Sequence, residues 1–214
     1  MRPSIAVIVW SVALAASLAG AAPAAAGNFG VEAHGGYHSL SASKSAEAVF
    51  DGSTGGATFG GALRYVLHNG LFIAGGARTF SKTGERVYVA DAGGPVAKLG
   101  FPLDVRITPI FGTLGYRFRE GRSLVPYLGV GAGVTKFKET SDVTGDVREE
   151  SRSKSSFQAL AGFEFGSGLV RFGAEGVYSS APDSIGVGGV SKVYGEKDIG
   201  GFSILGKLIL SFGK

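Results

Sequence analysis

The 214-residue sequence predicts an all-β fold, an eight-stranded up-and-down antiparallel transmembrane β-barrel. Three observations predict it. From residue 27 onward the chain divides into segments of strict alternation, apolar on one parity and mixed or charged on the other, as strands with two different faces require. The connections between these segments alternate long and polar with very short, the asymmetry of a barrel with extended outer loops and tight inner turns. Glycine (37 residues) and aromatic residues (11%) are plentiful, which suits close strand approach and anchoring at membrane interfaces. A closed cylinder satisfies its backbone hydrogen bonds internally, so it crosses lipid without any apolar helix.

The amino terminus reads as an export signal. Met1 and Arg2 supply a short positive region, Ile5 to Leu18 an apolar stretch, and Pro23-Ala24-Ala25-Ala26-Gly27 a small-residue processing site, so residues 1–26 form a secretory signal peptide cleaved after Ala26. Residues 27–214 then form the barrel domain. Loss of Arg2 lowers the formal net charge of +4 by one unit, and both signs are scattered rather than clustered, so nothing points to nucleic acid. The absence of cysteine excludes disulfides, and stability must come from packing, the strand ladder and the membrane.

The strands follow in order. Phe29 to His38 sets Phe29, Val31 and Tyr37 against Glu32, His34 and His38, so only one face suits lipid. After a loop at 39–55, Ala57 to Leu67 sets Phe59, Leu63 and Leu67 against Arg64, and His68-Asn69-Gly70 reverses the chain because Asn-Gly readily adopts positive φ. Leu71 to Phe80 sets Leu71 and Ile73 against Phe72 and Arg78 before a second loop at 81–102. In Leu103 to Phe118 the apolar parity changes, from Val105 and Ile107 to Ile110, Leu114, Tyr116 and Phe118. A one-residue bulge at Pro109, which cannot donate to a ladder, would turn both sets to lipid.

Arg119 to Leu124 make a short turn. The fifth strand sets Leu128, Val130 and Val134 outward against Tyr127 and Phe137, followed by a charged loop at 138–155. Phe157 to Phe165 sets Phe157, Phe163 and Phe165 against Gln158 and Glu164, with Gly166-Ser167-Gly168 as the next tight turn. Val170 to Tyr178 sets Phe172 and Tyr178 against Arg171 and Glu175. After a loop at 180–200, Phe202 to Phe212 sets Ile204, Leu208 and Leu210 against Lys207.

These parities send Glu32, Arg64, Arg78, Asp104, Arg106, Arg117, Glu164, Arg171, Glu175 and Lys207 into the lumen, since ionised groups are costly against lipid. An eight-stranded barrel is just wide enough to be filled by side chains, so the expected outcome is a network of paired charges that plugs it. A narrow solute path is the alternative.

Catalytic chemistry has little support. His34 and His38 are four strand positions apart, ~13 Å, too far to share one ion. His38-Ser39 point to opposite faces, and the His-x-Ser-Asn pattern of barrel lipid A deacylases is missing, which leaves a membrane-lipid hydrolase as the least favoured function. Gly129-x-Gly131-x-Gly133 opens no helix, and the P-loop mimic of Gly201 to Lys207 has Leu208 where Ser or Thr is required.

Three motifs carry a family resemblance: Leu114-Gly115-Tyr116-Arg117-Phe118, Pro126-Tyr127-Leu128-Gly129-Val130-Gly131-Ala132-Gly133, and Phe157-Gln158-Ala159-Leu160-Ala161-Gly162-Phe163-Glu164-Phe165. Together with the strand rhythm they resemble the small eight-stranded outer-membrane barrels of the OmpA transmembrane-domain and OmpX type, grouped as outer-membrane β-barrel domain or porin-family proteins. The resemblance implies export through the Sec pathway and a Gram-negative outer membrane, with outer-membrane lipid and lipopolysaccharide as surroundings. Periplasmic chaperones and the barrel-insertion machinery would be partners in assembly. Such barrels serve as anchors, adhesins, resistance factors and enzymes, so the resemblance leaves function open; the residues themselves favour a non-enzymatic protein without cofactor or metal, whose loops at 39–55, 81–102, 138–155 and 180–200 serve envelope integrity or meet an external ligand.

Overall fold

The computed structural model describes residues 27–118, 123–143 and 146–213; the expected leader at 1–26 and most of the turn after Phe118 lie outside the described residues. The chain forms a single closed antiparallel barrel in sequence order: β1 (Gly27–Leu40), β2 (Gly55–Leu67), β3 (Leu71–Val89), β4 (Val96–Arg117), β5 (Leu124–Val143), β6 (Asp146–Ser167), β7 (Val170–Ser180) and β8 (Gly201–Phe212). Two short helices stand in the connections, α1 (Ser43–Val49) after β1 and α2 (Gly189–Val193) before β8. The ring closes where β1 pairs with β8, from Phe29↔Phe212 to Leu40↔Gly201. No described helix is long and apolar enough to cross a membrane; a closed barrel can cross with its strands, since it leaves no backbone edge unpaired.

The outer wall has one apolar band. Tyr37, Phe59, Ile73, Leu114, Val130, Phe157, Phe172 and Ile204 all point outward and are exposed. Aromatic side chains edge it. At the end bearing the tight turns, Tyr116 meets Phe118 edge-on at 5.0 Å and Phe165 stacks on Phe172 at 5.8 Å. At the other end stand Tyr37, Phe59, Phe157, Tyr178 and Phe202, the paired girdles of a barrel seated in lipid. At the lower end Asn69 and Gly70 turn β2 into β3 as expected, with Gly70 at φ +85° donating its N–H to the Leu67 carbonyl at 3.0 Å.

Above the band the two faces exchange character. Leu103, Val105, Ile107 and Phe137 are buried inside, whereas Asp104, Arg106 and Lys136 are exposed outside. The expected bulge at Pro109 is therefore absent. The β3–β4 register is the same at Ala77↔Ile110 as at Phe80↔Ile107, and the β4–β5 ladder runs unbroken through Pro109↔Thr135. Proline removes a donor without inserting a residue, and the register shift of this hairpin lies higher, between Glu85 and Val87. Asp104 and Arg106 accordingly leave the expected lumen set: the change of apolar parity in β4 records a change of surroundings, from hydrocarbon to water, not a change of facing.

Two of the expected long loops are strand as well. β3 and β4 continue as a ribbon to Val89 and Val96, and β5 and β6 to Val143 and Asp146. Beyond the membrane an outward side chain has no reason to be apolar, so these ribbons lack the alternation that marks the lower strands. The other two connections are true loops and fold inward over the mouth. There Leu40, Ala46, Phe50, Phe80, Ile107, Phe137, Ala181 and Ile199 form a hydrophobic core like that of a water-soluble barrel.

Candidate functional site in the lumen and mouth

Strand alternation delivers every inward side chain from a different wall to one axis, which is what allows charges remote in sequence to meet. Glu164 of β6, 0% exposed, is the hub of the lower cluster. Arg64 of β2 donates to one of its oxygens, Arg117 of β4 lies 3.0 Å from the other, and Arg171 of β7 approaches at 3.4 Å. Arg64 is also 2.9 Å from Glu32 of β1. Glu32 is in turn 2.7 Å from Lys207 of β8, which reaches Glu175 of β7 at 3.0 Å. The Tyr127 hydroxyl donates to Glu175 at 2.9 Å, and the ring meets Phe72 edge-on at 6.1 Å. Room for that pair comes from glycine: a Cβ at Gly115 would stand 2.3 Å from the Phe72 ring.

Of the expected lumen residues, Glu32, Arg64, Arg117, Glu164, Arg171, Glu175 and Lys207 thus stand in one continuous chain of contacts. Arg78 stands apart. Its guanidinium donates to Gln158 Oε1 at 3.1 Å and lies 5.2 Å from the Phe111 ring centre, with no carboxylate in contact among the described residues. Gln158 in turn donates to Thr113 at 2.9 Å. At the same level His38 Nδ1 is 2.9 Å from the Ser203 hydroxyl rather than from its neighbour Ser39, which faces away toward Thr54. His34 is buried with no hydrogen-bond partner on either ring nitrogen. No group of three or more metal-ligating side chains is found among the described residues.

The mouth is latched by carboxylates that sequence reasoning overlooked. Glu196, beyond α2, accepts from the Lys44 and Ser45 N–H groups at 3.0 and 2.9 Å and from the Ser45 hydroxyl at 2.5 Å, so it caps α1 from the opposite loop. The N-cap residue of α1, Ala42, offers no side-chain cap of its own. Asp198 accepts from the Ala181 and Gly200 N–H groups at 2.8 and 2.7 Å, which fixes the base of the second loop. Lys82 of β3 donates to the Gly55 carbonyl at 2.6 Å and lies 5.0 Å from the Phe50 ring centre. The only sequence-level signal for these roles is the close pair of acids Glu196 and Asp198 at the end of a Gly- and Ser-rich stretch. Between the loops and the upper wall a cavity of about 260 Å³ remains, lined by Phe50, Val87, Val105, Phe137, Ile185 and Ile199 among others.

Comparison with known proteins agrees with this architecture. The family described as "Outer membrane protein beta-barrel domain" matches residues 11–168. Among solved structures, the Neisserial surface protein A superposes with a TM-score of 0.54 at 17% identity, over 89% of this chain and all (100%) of that one. Ail, the attachment invasion locus protein of Yersinia pestis, in complex with the heparin analogue sucrose octasulfate, gives 0.53 at 17% identity, over 88% and 100%. A major outer membrane protein of Thermus thermophilus gives 0.56 at 11% identity, over 88% and 100%. At such identities the likeness is one of fold. No curated protein matches the sequence closely enough to count as a relative.

Proposed function

Because the chain belongs to the outer membrane protein β-barrel domain family and resides in the outer membrane, we propose that it is a non-enzymatic envelope barrel whose lumen is stoppered and whose outer rim and loops do the work. The observation that carries this reading is the pair of plugs in series. The ion-pair chain centred on Glu164 spans the lower lumen, and the apolar core around Phe50, Phe80 and Phe137 lies across the upper. A solute would have to break buried ion pairs and then cross an apolar layer, each step costing several kcal/mol.

The rim suggests the surroundings. Lys136 is exposed directly above outward Val134, and Arg106, exposed on the adjacent strand one outward position beyond Thr108, faces Lys138 across the β4–β5 ladder. That is the height of the outer-leaflet head groups, so these cations suit the phosphates of lipopolysaccharide. The polysulfated ligand bound by Ail is a precedent for an anion on such a barrel, and the exposed charges of the β5–β6 ribbon are the corresponding surface here. Chaperones of the periplasm and the barrel-insertion machinery are partners in assembly only.

Planar-bilayer recording of the purified chain tests the proposal. The expected result is no stable conductance step, with retention of lipopolysaccharide on the purified barrel reduced in Arg106→Gln/Lys136→Gln. Reproducible openings altered by Arg64→Gln or Glu164→Gln would replace it with a channel.

A further inference from the structure

The mouth cavity is a gap in an otherwise dense core, and its position is held by directed bonds rather than left by chance. Close-packed interiors leave few voids larger than a water molecule, and apolar cavities cost stability in proportion to their volume. About 260 Å³ persists here because Glu196 ties α1, and Asp198 ties the second loop, in place above the wall. The walls are aliphatic and aromatic: Phe50, Val87, Val105, Ile107, Phe137 and Ile199. One edge is ionic, formed by Arg86, Glu139, Glu150 and Arg152. Arg152 donates to Glu150 and is thereby occupied. The Arg86 side chain, half-buried, makes no hydrogen bond or ion pair among the described residues, and its charge acts through space on Glu139.

A largely apolar slot with a half-buried guanidinium at its rim is the shape of a receptor for an amphiphile. We infer that the mouth binds one molecule of a single-chain anionic amphiphile, such as a straight-chain carboxylate, with its hydrocarbon between Phe50, Val105 and Phe137 and its head group on Arg86. The volume, just under the ~300–1,000 Å³ of pockets for drug-sized ligands, admits one chain and excludes a multiply acylated lipid. The slot lies above the apolar band, so the ligand arrives from water. This role goes beyond the envelope function and does not depend on whether the lumen conducts.

The test is calorimetric titration of straight-chain carboxylates of increasing length into the full chain held in lipid nanodiscs, with empty nanodiscs subtracted. Binding should be saturable at one per barrel and tighten by about fourfold per methylene until the slot is full. Arg86→Gln should weaken carboxylates by about tenfold or more while leaving alkanols of the same length unchanged. Val105→Trp, which fills the slot, should abolish both. If that variant loses the compact form of the unboiled barrel on a gel, Ile185→Trp on the loop wall takes its place. Heat no greater than that of empty nanodiscs, full binding by a slot-filling variant, or equal losses of carboxylate and alkanol in Arg86→Gln would each overturn the assignment.

Discussion

The ammonium of Lys207 lies 2.7 Å from the carboxylate of Glu32, on the two strands whose pairing closes the cylinder. β1 and β8 are the most distant strands in the chain, and their ladder places His34 opposite Lys207 and Glu32 opposite Ile209. The ion pair therefore spans the seam diagonally inside the barrel, where the two side chains are only 5% and 4% exposed. Lys207 also holds Glu175 on β7, so one cation ties three consecutive strands of the ring together.

Removing one member should cost far more than removing both. Glu32→Gln leaves Lys207 and Arg64 buried with a single carboxylate each, and should lower unfolding stability by about 3–5 kcal/mol, whereas Glu32→Gln/Lys207→Met should recover much of that loss. Urea titration of the barrel folded into vesicles measures both. Equal or additive losses would mean that the pair is solvated, not sealed.

The exchange of faces along β4 and β5 gives a paired expectation. Val130, 62% exposed and in the middle of the apolar band, faces hydrocarbon, so Val130→Arg should destabilise by about 2–4 kcal/mol in vesicles. Arg106→Leu, on the same outer wall but above the band, should change stability by no more than about 0.5 kcal/mol. If Arg106→Leu proves as costly as a lumen substitution, the outward placement of Arg106 is wrong.

Glu196 holds α1 through backbone donors of Lys44 and Ser45 and through the Ser45 hydroxyl. Glu196→Ala should release the helix without opening the barrel. Hydrogen exchange across residues 43–49 should speed up by roughly tenfold to a hundredfold, the equivalent of about 1.5–3 kcal/mol for charge-assisted bonds, while the strands keep their protection.

Glu139 faces Glu150 across the β5–β6 ribbon, outside the membrane-spanning band. Burial first, and then the charge of Glu150, hold its carboxyl above the ordinary 4.5, with Arg86 and Arg152 opposing. Folding thus raises this group's proton affinity. The associated stability is fully present below the ordinary glutamate value and is lost as pH rises through the raised one. Glu139→Gln should therefore protect the ribbon at pH 7, by at most about 1 kcal/mol, and have no effect at a pH where Glu139 is already protonated. Exchange rates of the ribbon amides at the two pH values decide it; protection that does not depend on pH would contradict the assignment.

Where a side chain had to choose between lipid and lumen, the order of residues was enough. Alternation in Phe29 to His38 or Phe202 to Phe212 states which parity is apolar, Asn69-Gly70 states where the chain reverses, and the count of such segments states that the sheet closes. What alternation leaves open is the medium that each face meets, because a period of two is blind to height along the barrel axis. Only the folded cylinder decides that Val105 and Ile107 lie above the hydrocarbon and turn inward, that Asp104 and Arg106 face water, and that the segments beyond Phe80 and before Phe157 are ribbon rather than loop. It alone sets partners as well: Glu164 has no local reason to gather Arg64, Arg117 and Arg171, and Glu196 none to cap α1. Those contacts exist because closing the ring brings strands far apart in sequence to a shared axis, where a buried charge must find an opposite one.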